Sequence, residues 1–160
     1  AVGATLLNKI EVEDTMAATL RMANGSLATL SMTLGSRQEI SRLRFCYENL
    51  VAESILEPYT MSRDPWVFTT NDATLQGKID ACLAEVPHTE DGYTRQFELF
   101  HEAITTGGDL PVTLADARRS LELVTAAYHS SRTGQPAQLP IGKDHPLYHS
   151  WLPQTPAQPG

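Results

Sequence analysis

Apolar and polar residues alternate from Ile10 to Met22, the chain then reads Ala23-Asn24-Gly25-Ser26, and alternation resumes from Leu27 to Leu34. Asn-Gly between two period-two runs predicts a β-hairpin with a type I′ turn, because that turn needs positive φ at both central residues. With Asn24 and Gly25 as the turn pair, Met22 faces Leu27, Leu20 faces Thr29 and Ala18 faces Ser31 on one side of the ribbon. The other side carries Thr19 against Leu30, Ala17 against Met32 and Thr15 against Leu34. Neither side is then plainly polar. This mixture predicts one face under helices and the other covered by a partner chain or domain.

Ser41 to Tyr47 and Leu50 to Leu56 are two further strand-like runs, joined at Glu48-Asn49 in what reads as a second hairpin. The expected sheet has at least four strands, largely antiparallel. Trp66 to Thr69 is a fifth candidate strand and Gly77 to Cys82 a sixth. The last third changes period. Phe97, Phe100, Ala103 and Ile104 line one face of a helix that starts at Tyr93 and stops at Thr106-Gly107-Gly108. A second helix starts at Thr113, where Thr-Leu-Ala-Asp forms a capping box with Asp in place of Glu. Its stripe runs Leu114, Ala117, Leu121, Val124 and Tyr128, and Gly134 followed by Pro136 ends it. Residues 1–140 are thus expected to form one α+β domain. Residues 141–160 read as an extended Pro-rich tail that packs Leu147, Tyr148 and Trp151 before fraying at 153–160.

At 160 residues, with 41% hydrophobic and 19% charged, the chain has the composition of one globular domain and not of a fibrous or disordered protein. Its net charge of -7 has the wrong sign for holding nucleic-acid phosphates or an anionic membrane, so neither is expected as a partner. No apolar run is long enough to span a bilayer, and the first residues have no basic, signal-type start, which predicts a cytoplasmic setting. Cys46 and Cys82 match no metal or redox spacing and are expected to be buried thiols in a reducing compartment. The first residue is Ala1 and strand character follows at once, so the chain is expected to begin partway through a longer polypeptide.

Candidate chemistry is sparse. The sequence has no G-x-G-x-x-G, Walker loop, H-E-x-x-H, C-x-x-C or G-x-S-x-G, and so marks no phosphate cradle, metal site or activated serine. No catalytic, cofactor-binding or metal-binding residue is assigned. Tyr93, Arg95 and Gln96 open a helix whose free amides favour an anion, and Tyr93 and Gln96 are the candidate substrate contacts. Glu11, Glu13 and Asp14 crowd carboxylates together, with Glu11 and Glu13 sharing a strand face and a solvated edge as the plain reading. Asp144, His145 and His149 would bring metal ligands together only if their segment were helical, which Pro146 opposes. His101 could stand at a cleft and His129 suits a helix C-terminus. Arg118 and Glu122 form an i,i+4 ion pair beside Asp116 and Arg119.

Val12-Glu13-Asp14-Thr15, a strand, Ala-Asn-Gly and a strand with Leu27-Ala28-Thr29-Leu30 together resemble the C-terminal domain of the Gfo/Idh/MocA oxidoreductases. The resemblance continues with Tyr93-x-x-Gln96-Phe97-x-x-Phe100-x-x-Ala103-Ile104, Pro111-Val112, Ala117-Arg118-x-x-Leu121-Glu122-Leu123 and Ala126-Ala127-Tyr128-x-Ser130. Gly134-Gln135 and Leu139-Pro140 close it, and residues 57–86 stand outside it. The turn Tyr47-Glu48-Asn49-Leu50 departs from the glycine-containing turn of the family.

The resemblance implies an open mixed sheet with helices packed on one face, completing the substrate pocket of a two-domain enzyme. The other half would be an N-terminal Rossmann domain that holds NAD or NADP. It further implies hydride transfer at a hydroxyl carbon of a sugar, cyclitol or related small molecule. Self-association into a dimer or tetramer through the open sheet face is implied as well. The family's dinucleotide fingerprint, Glu-Lys-Pro lysine and Asp-x-x-x-His pair have no counterpart here, so the chain is expected to be inactive alone. The rival expectation is a stand-alone, non-catalytic ligand- or protein-binding module, and a weaker one a metal enzyme using Asp144, His145 and His149.

Overall fold

The computed structural model describes residues 1–63, 65–87 and 92–152. In chain order its elements are β1 (Val2–Ala4), β2 (Thr15–Arg21), β3 (Leu27–Thr33), β4 (Arg44–Cys46), β5 (Val51–Glu53) and β6 (Val67–Thr69), then α1 (Ala73–Glu85), α2 (Gly92–Thr106) and α3 (Leu114–Thr133). This is the expected α+β class with open antiparallel sheets. The strands divide, however, into two three-stranded sheets, β1-β2-β3 and β4-β5-β6, where one sheet was expected. Two compact units result, one of Ala1–Ser36 with the chain from Val112 onward, the other of Arg37–Pro111.

In the first unit β2 and β3 form the expected hairpin, in a register one residue away from the expected one. Leu20 lies opposite Ala28, Ala18 opposite Leu30 and Met16 opposite Met32. The turn explains the shift. Gly25 sits at φ 88° whereas Asn24 keeps an ordinary negative φ, so the loop is Ala23, Asn24 and Gly25 with glycine supplying the one left-handed residue. Gly25 N–H donates to the Met22 carbonyl and Met22 N–H to the Ser26 carbonyl, each at 2.9 Å. The new register places Met16, Ala18, Leu20, Ala28, Leu30 and Met32 on one face and Ala17, Thr19, Thr29 and Ser31 on the other. One face of the hairpin is thus apolar and the other largely polar, with Leu27 its one large apolar residue, so the expected mixture on both faces is corrected.

β1 extends this sheet along β2, with Gly3 opposite Met16. A Cβ at Gly3 would come within 3.3 Å of both Met16 Cε and Ser131 Oγ, so glycine lets β1 lie close to α3 without displacing either side chain. Gly3 N–H donates to Ser131 Oγ at 2.9 Å, and the Ala1 amino group donates to Ser130 Oγ at 2.6 Å. α3 carries the predicted capping box between Thr113 and Asp116, and at its other end Gly134 N–H returns to the Ser130 carbonyl.

The apolar stripe of α3 is not its buried face. Leu114 is 89% exposed, while Thr125 and Ala126 are buried. The reason is that the tail packs on the Thr125 side. Trp151 lies against the Tyr128 ring with centroids 5.5 Å apart, and its indole N–H donates to Thr125 Oγ1 at 2.9 Å. Thr125 in turn donates to the Leu121 carbonyl at 2.7 Å, so its buried hydroxyl is fully used. Ile141 is buried at 4% exposure, and Trp151 makes the contact expected of the tail. The expected fraying at 153–160 lies outside the described residues.

In the second unit, β4 and β5 pair with Arg44 opposite Glu53 and turn through Glu48 and Asn49, as expected. The strands are shorter than the apolar runs. β6 confirms the fifth candidate, and just before it Trp66 stacks on Phe45 with centroids 6.0 Å apart. The sixth candidate is corrected, since Gly77 to Cys82 lies inside α1. Asp72 makes the difference by accepting from the N–H groups of Thr74 and Leu75, which starts a helix ahead of the weak strand pattern. Leu75, Ile79 and Leu83 then fall at i, i+4 and i+8. α1 buries none of its residues, and both Cys82 and Cys46 are exposed, contrary to the expected buried thiols. α2 forms as predicted and buries Ala103.

Candidate functional site

The expected ligand contacts at the start of α2 are both exposed, with Tyr93 at 78% and stacked on Phe97 at 6.4 Å between centroids. Arg95 pairs with Glu98 at 3.3 Å. These contacts are between neighbours on one helix surface and bring no other candidate residue to Tyr93 or Gln96 among the described residues.

The three crowded carboxylates part company. Asp14, only 3% exposed, turns inward and accepts from the N–H groups of Leu6, Leu7 and Asn8 at 2.9, 2.9 and 2.7 Å. The backbone donors of Leu6 and Asn8, with lesser help from Leu7 and the Thr15 hydroxyl, hold its carboxyl well below the usual carboxylate range against the opposing effect of desolvation. Glu13 accepts from the Tyr128 hydroxyl at 2.5 Å, and this bond, reinforced by burial, pushes the phenol up from its ordinary value. Glu11 stays exposed. The expected solvated edge is therefore corrected at Asp14 and Glu13, whose partners lie along the chain where alternation gives no sign of them.

The histidines are held locally. His145 sits in a run of turns and not on a helix; its Nδ1 accepts from Leu147 N–H at 3.1 Å and its ring meets the edge of His129 at 4.6 Å. His149 packs on Tyr148 at 5.1 Å. Among the described residues no three His, Cys, Asp or Glu side chains come together as metal ligands. His101 is exposed on α2, and Arg118 donates to Glu122 at 2.7 Å as the spacing predicts.

One concavity escaped the sequence reading. The β4–β5 turn and the β6–α1 connection enclose an open cleft of about 450 Å³ lined by Tyr47, Glu48, Asn49, Thr70, Asn71 and Asp72 among others. Its polar groups are hydroxyl, amide and carboxylate, set beside the apolar Leu50 and Val51. Two turn signals separated by about twenty residues of sequence carry no mark of meeting in space. Neither Tyr93 nor Gln96 lines it.

Among the described residues, those present at two of the three helix starts do not fit a dinucleotide. The start of α1 is capped by the Asp72 carboxylate and that of α3 by Thr113 and Asp116, which puts negative charge where a pyrophosphate would need bare N–H groups.

The sequence model of the family described as the oxidoreductase family, C-terminal alpha/beta domain (Gfo/Idh/MocA), matches residues 2–139. The chain belongs to that C-terminal domain family. No curated protein and no solved structure matches it. Among the described residues no helix is long and apolar enough to cross a membrane.

Proposed function

We propose that the chain is the substrate-binding and oligomerisation half of a cytoplasmic NAD(P)-dependent dehydrogenase acting on a sugar, cyclitol or related hydroxyl compound. The observation that carries this reading is the family match along residues 2–139. The self-capped starts of α1 and α3 and the cleft at Tyr47 and Asn71 support the division of labour, with a separate domain holding the dinucleotide and this one meeting a hydroxylated substrate. Tyr93 and Gln96 are the proposed substrate contacts. Self-association is proposed through the open face of the β1-β2-β3 sheet, away from α3, where Ala17, Thr19, Thr29 and Ser31 are all exposed.

Calorimetry with NADH and NADPH tests the assignment of roles. The chain alone should give no saturable heat, and low-micromolar affinity would overturn the reading. The coding sequence upstream of Ala1 supplies the complementary test: a strand followed by G-x-G-x-x-G is expected, whereas a start codon directly before Ala1 would leave a stand-alone binding module. Light scattering should find a dimer or tetramer that Thr29→Glu weakens, and a monomer at all concentrations would refute the sheet-face assembly.

A further inference from the structure

The connection from β1 to β2, residues 5–13, has no regular structure, and Leu6, Leu7 and Val12 are 66%, 64% and 59% exposed. Apolar burial therefore contributes little to its order. Its backbone is nonetheless drawn together around one point. The successive N–H groups of Leu6, Leu7 and Asn8 all end on the Asp14 carboxylate, Leu6 on Oδ1 and the other two on Oδ2. Asn8 Nδ2 at 3.2 Å and the Thr15 hydroxyl at 3.1 Å complete its shell. Consecutive amides facing inward form a concavity suited to an anion. Here the anion is a side chain of the same chain, carried at the start of β2 and nearly closed off from water.

We propose that the amides of Leu6, Leu7 and Asn8 form a carboxylate-binding nest that Asp14 occupies as a built-in ligand, and that occupancy of this nest orders residues 5–13. The Thr5 hydroxyl, which donates to the Val12 carbonyl at 2.7 Å, closes the neck of the loop but touches none of the three amides. The nest is a general carboxylate receptor, so a chain lacking the Asp14 side chain should accept a small free monocarboxylate in its place.

Amide hydrogen exchange by NMR on the full chain tests this, with sodium formate as the probe in a constant high-chloride background. In Asp14→Ala the amides of Leu6, Leu7 and Asn8 should exchange at least about tenfold faster than in the native chain. Met22 in the hairpin and Ala117 in α3 should stay as slow as before, showing that the fold persists. Formate at several hundred millimolar should slow the three amides again, and neutral formamide should not. Unchanged exchange in Asp14→Ala, or fast exchange that formate leaves untouched, would overturn the proposal. Should Asp14→Ala lose the protection of Met22 and Ala117, Asp14→Asn provides the decision. Its one acceptor oxygen can serve Leu6 or the pair Leu7 and Asn8, not both, so at least one side must speed up; three amides as slow as in the native chain would overturn the nest.

Discussion

Replacing Trp151 by Ala removes the residue that fastens the tail to α3, and the structure gives the loss in parts. The half-buried indole forfeits about 1.5 kcal/mol of apolar burial, its contact with Tyr128 about 1 kcal/mol and its hydrogen bond to Thr125 about 1 kcal/mol. Thr125 keeps its bond to Leu121, so no buried donor is stranded and no further penalty arises. The expected cost is about 3.5 kcal/mol, which for a chain of 160 residues melting as one lowers Tm by about 10 °C. Trp151→Phe keeps the ring contact and most of the burial, and should cost only about 1 kcal/mol, the share of the lost donor. The assay is thermal and urea unfolding followed by far-UV circular dichroism, since fluorescence would be altered by the substitution itself. A Trp151→Ala melt within two or three degrees of the native chain, about 1 kcal/mol or less, would refute the reasoning and detach the tail from the folded unit.

Thr113→Ala removes the side chain that accepts from Asp116 N–H and should cost about 1 kcal/mol in urea unfolding, whereas Thr113→Ser should stay within a few tenths. Gly25→Ala forces a Cβ into φ 88° and should cost about 1 kcal/mol; no loss would mean that the loop can adopt another turn. Asp14 and Asp116 both have carboxyls held below their ordinary value of 3.8, Asp116 chiefly by its hydrogen bond from Thr113. The folded chain thus binds their protons less readily than the unfolded one. Their stabilisation is present above 3.8 and lost as pH falls through the folded values. Urea midpoints should therefore be higher for the native chain than for Asp14→Asn at neutral pH, and the two should converge under strong acid; a gap that stays constant through acid would contradict the role of the charge.

Helices and hairpins were legible where local chemistry decides them. Thr113 and Asp116 announce the start of α3, and Asn24-Gly25 announces a turn. The register was not legible, because Asn-Gly is compatible with two loops and the choice rests on whether Asn24 or only Gly25 takes positive φ. α1 was missed because Gly77 interrupts a stripe already sparse in apolar residues, while the deciding signal, Asp72 as cap, lies outside the run. Alternation identifies strands without naming their neighbours, so the separation into two sheets could not be read from it. The same holds for Asp14 and Glu13. Their partners lie from six to more than a hundred positions away, and only the folded backbone brings Asn8 and Tyr128 to them.

The seating of β1 on α3 joins the first residues of the chain to Ser130 and Ser131, with the whole Arg37–Pro111 unit intervening. Synthesis runs from one end, so the β2–β3 hairpin leaves the ribosome long before its helix exists. The inserted unit, whose strands pair with near neighbours, can close while β1 still waits for the helix that seats it. Completion of the first unit is thus a late event in the life of the nascent chain. A nascent chain with only residues 1–111 clear of the ribosome would display a finished insert and an unfinished host.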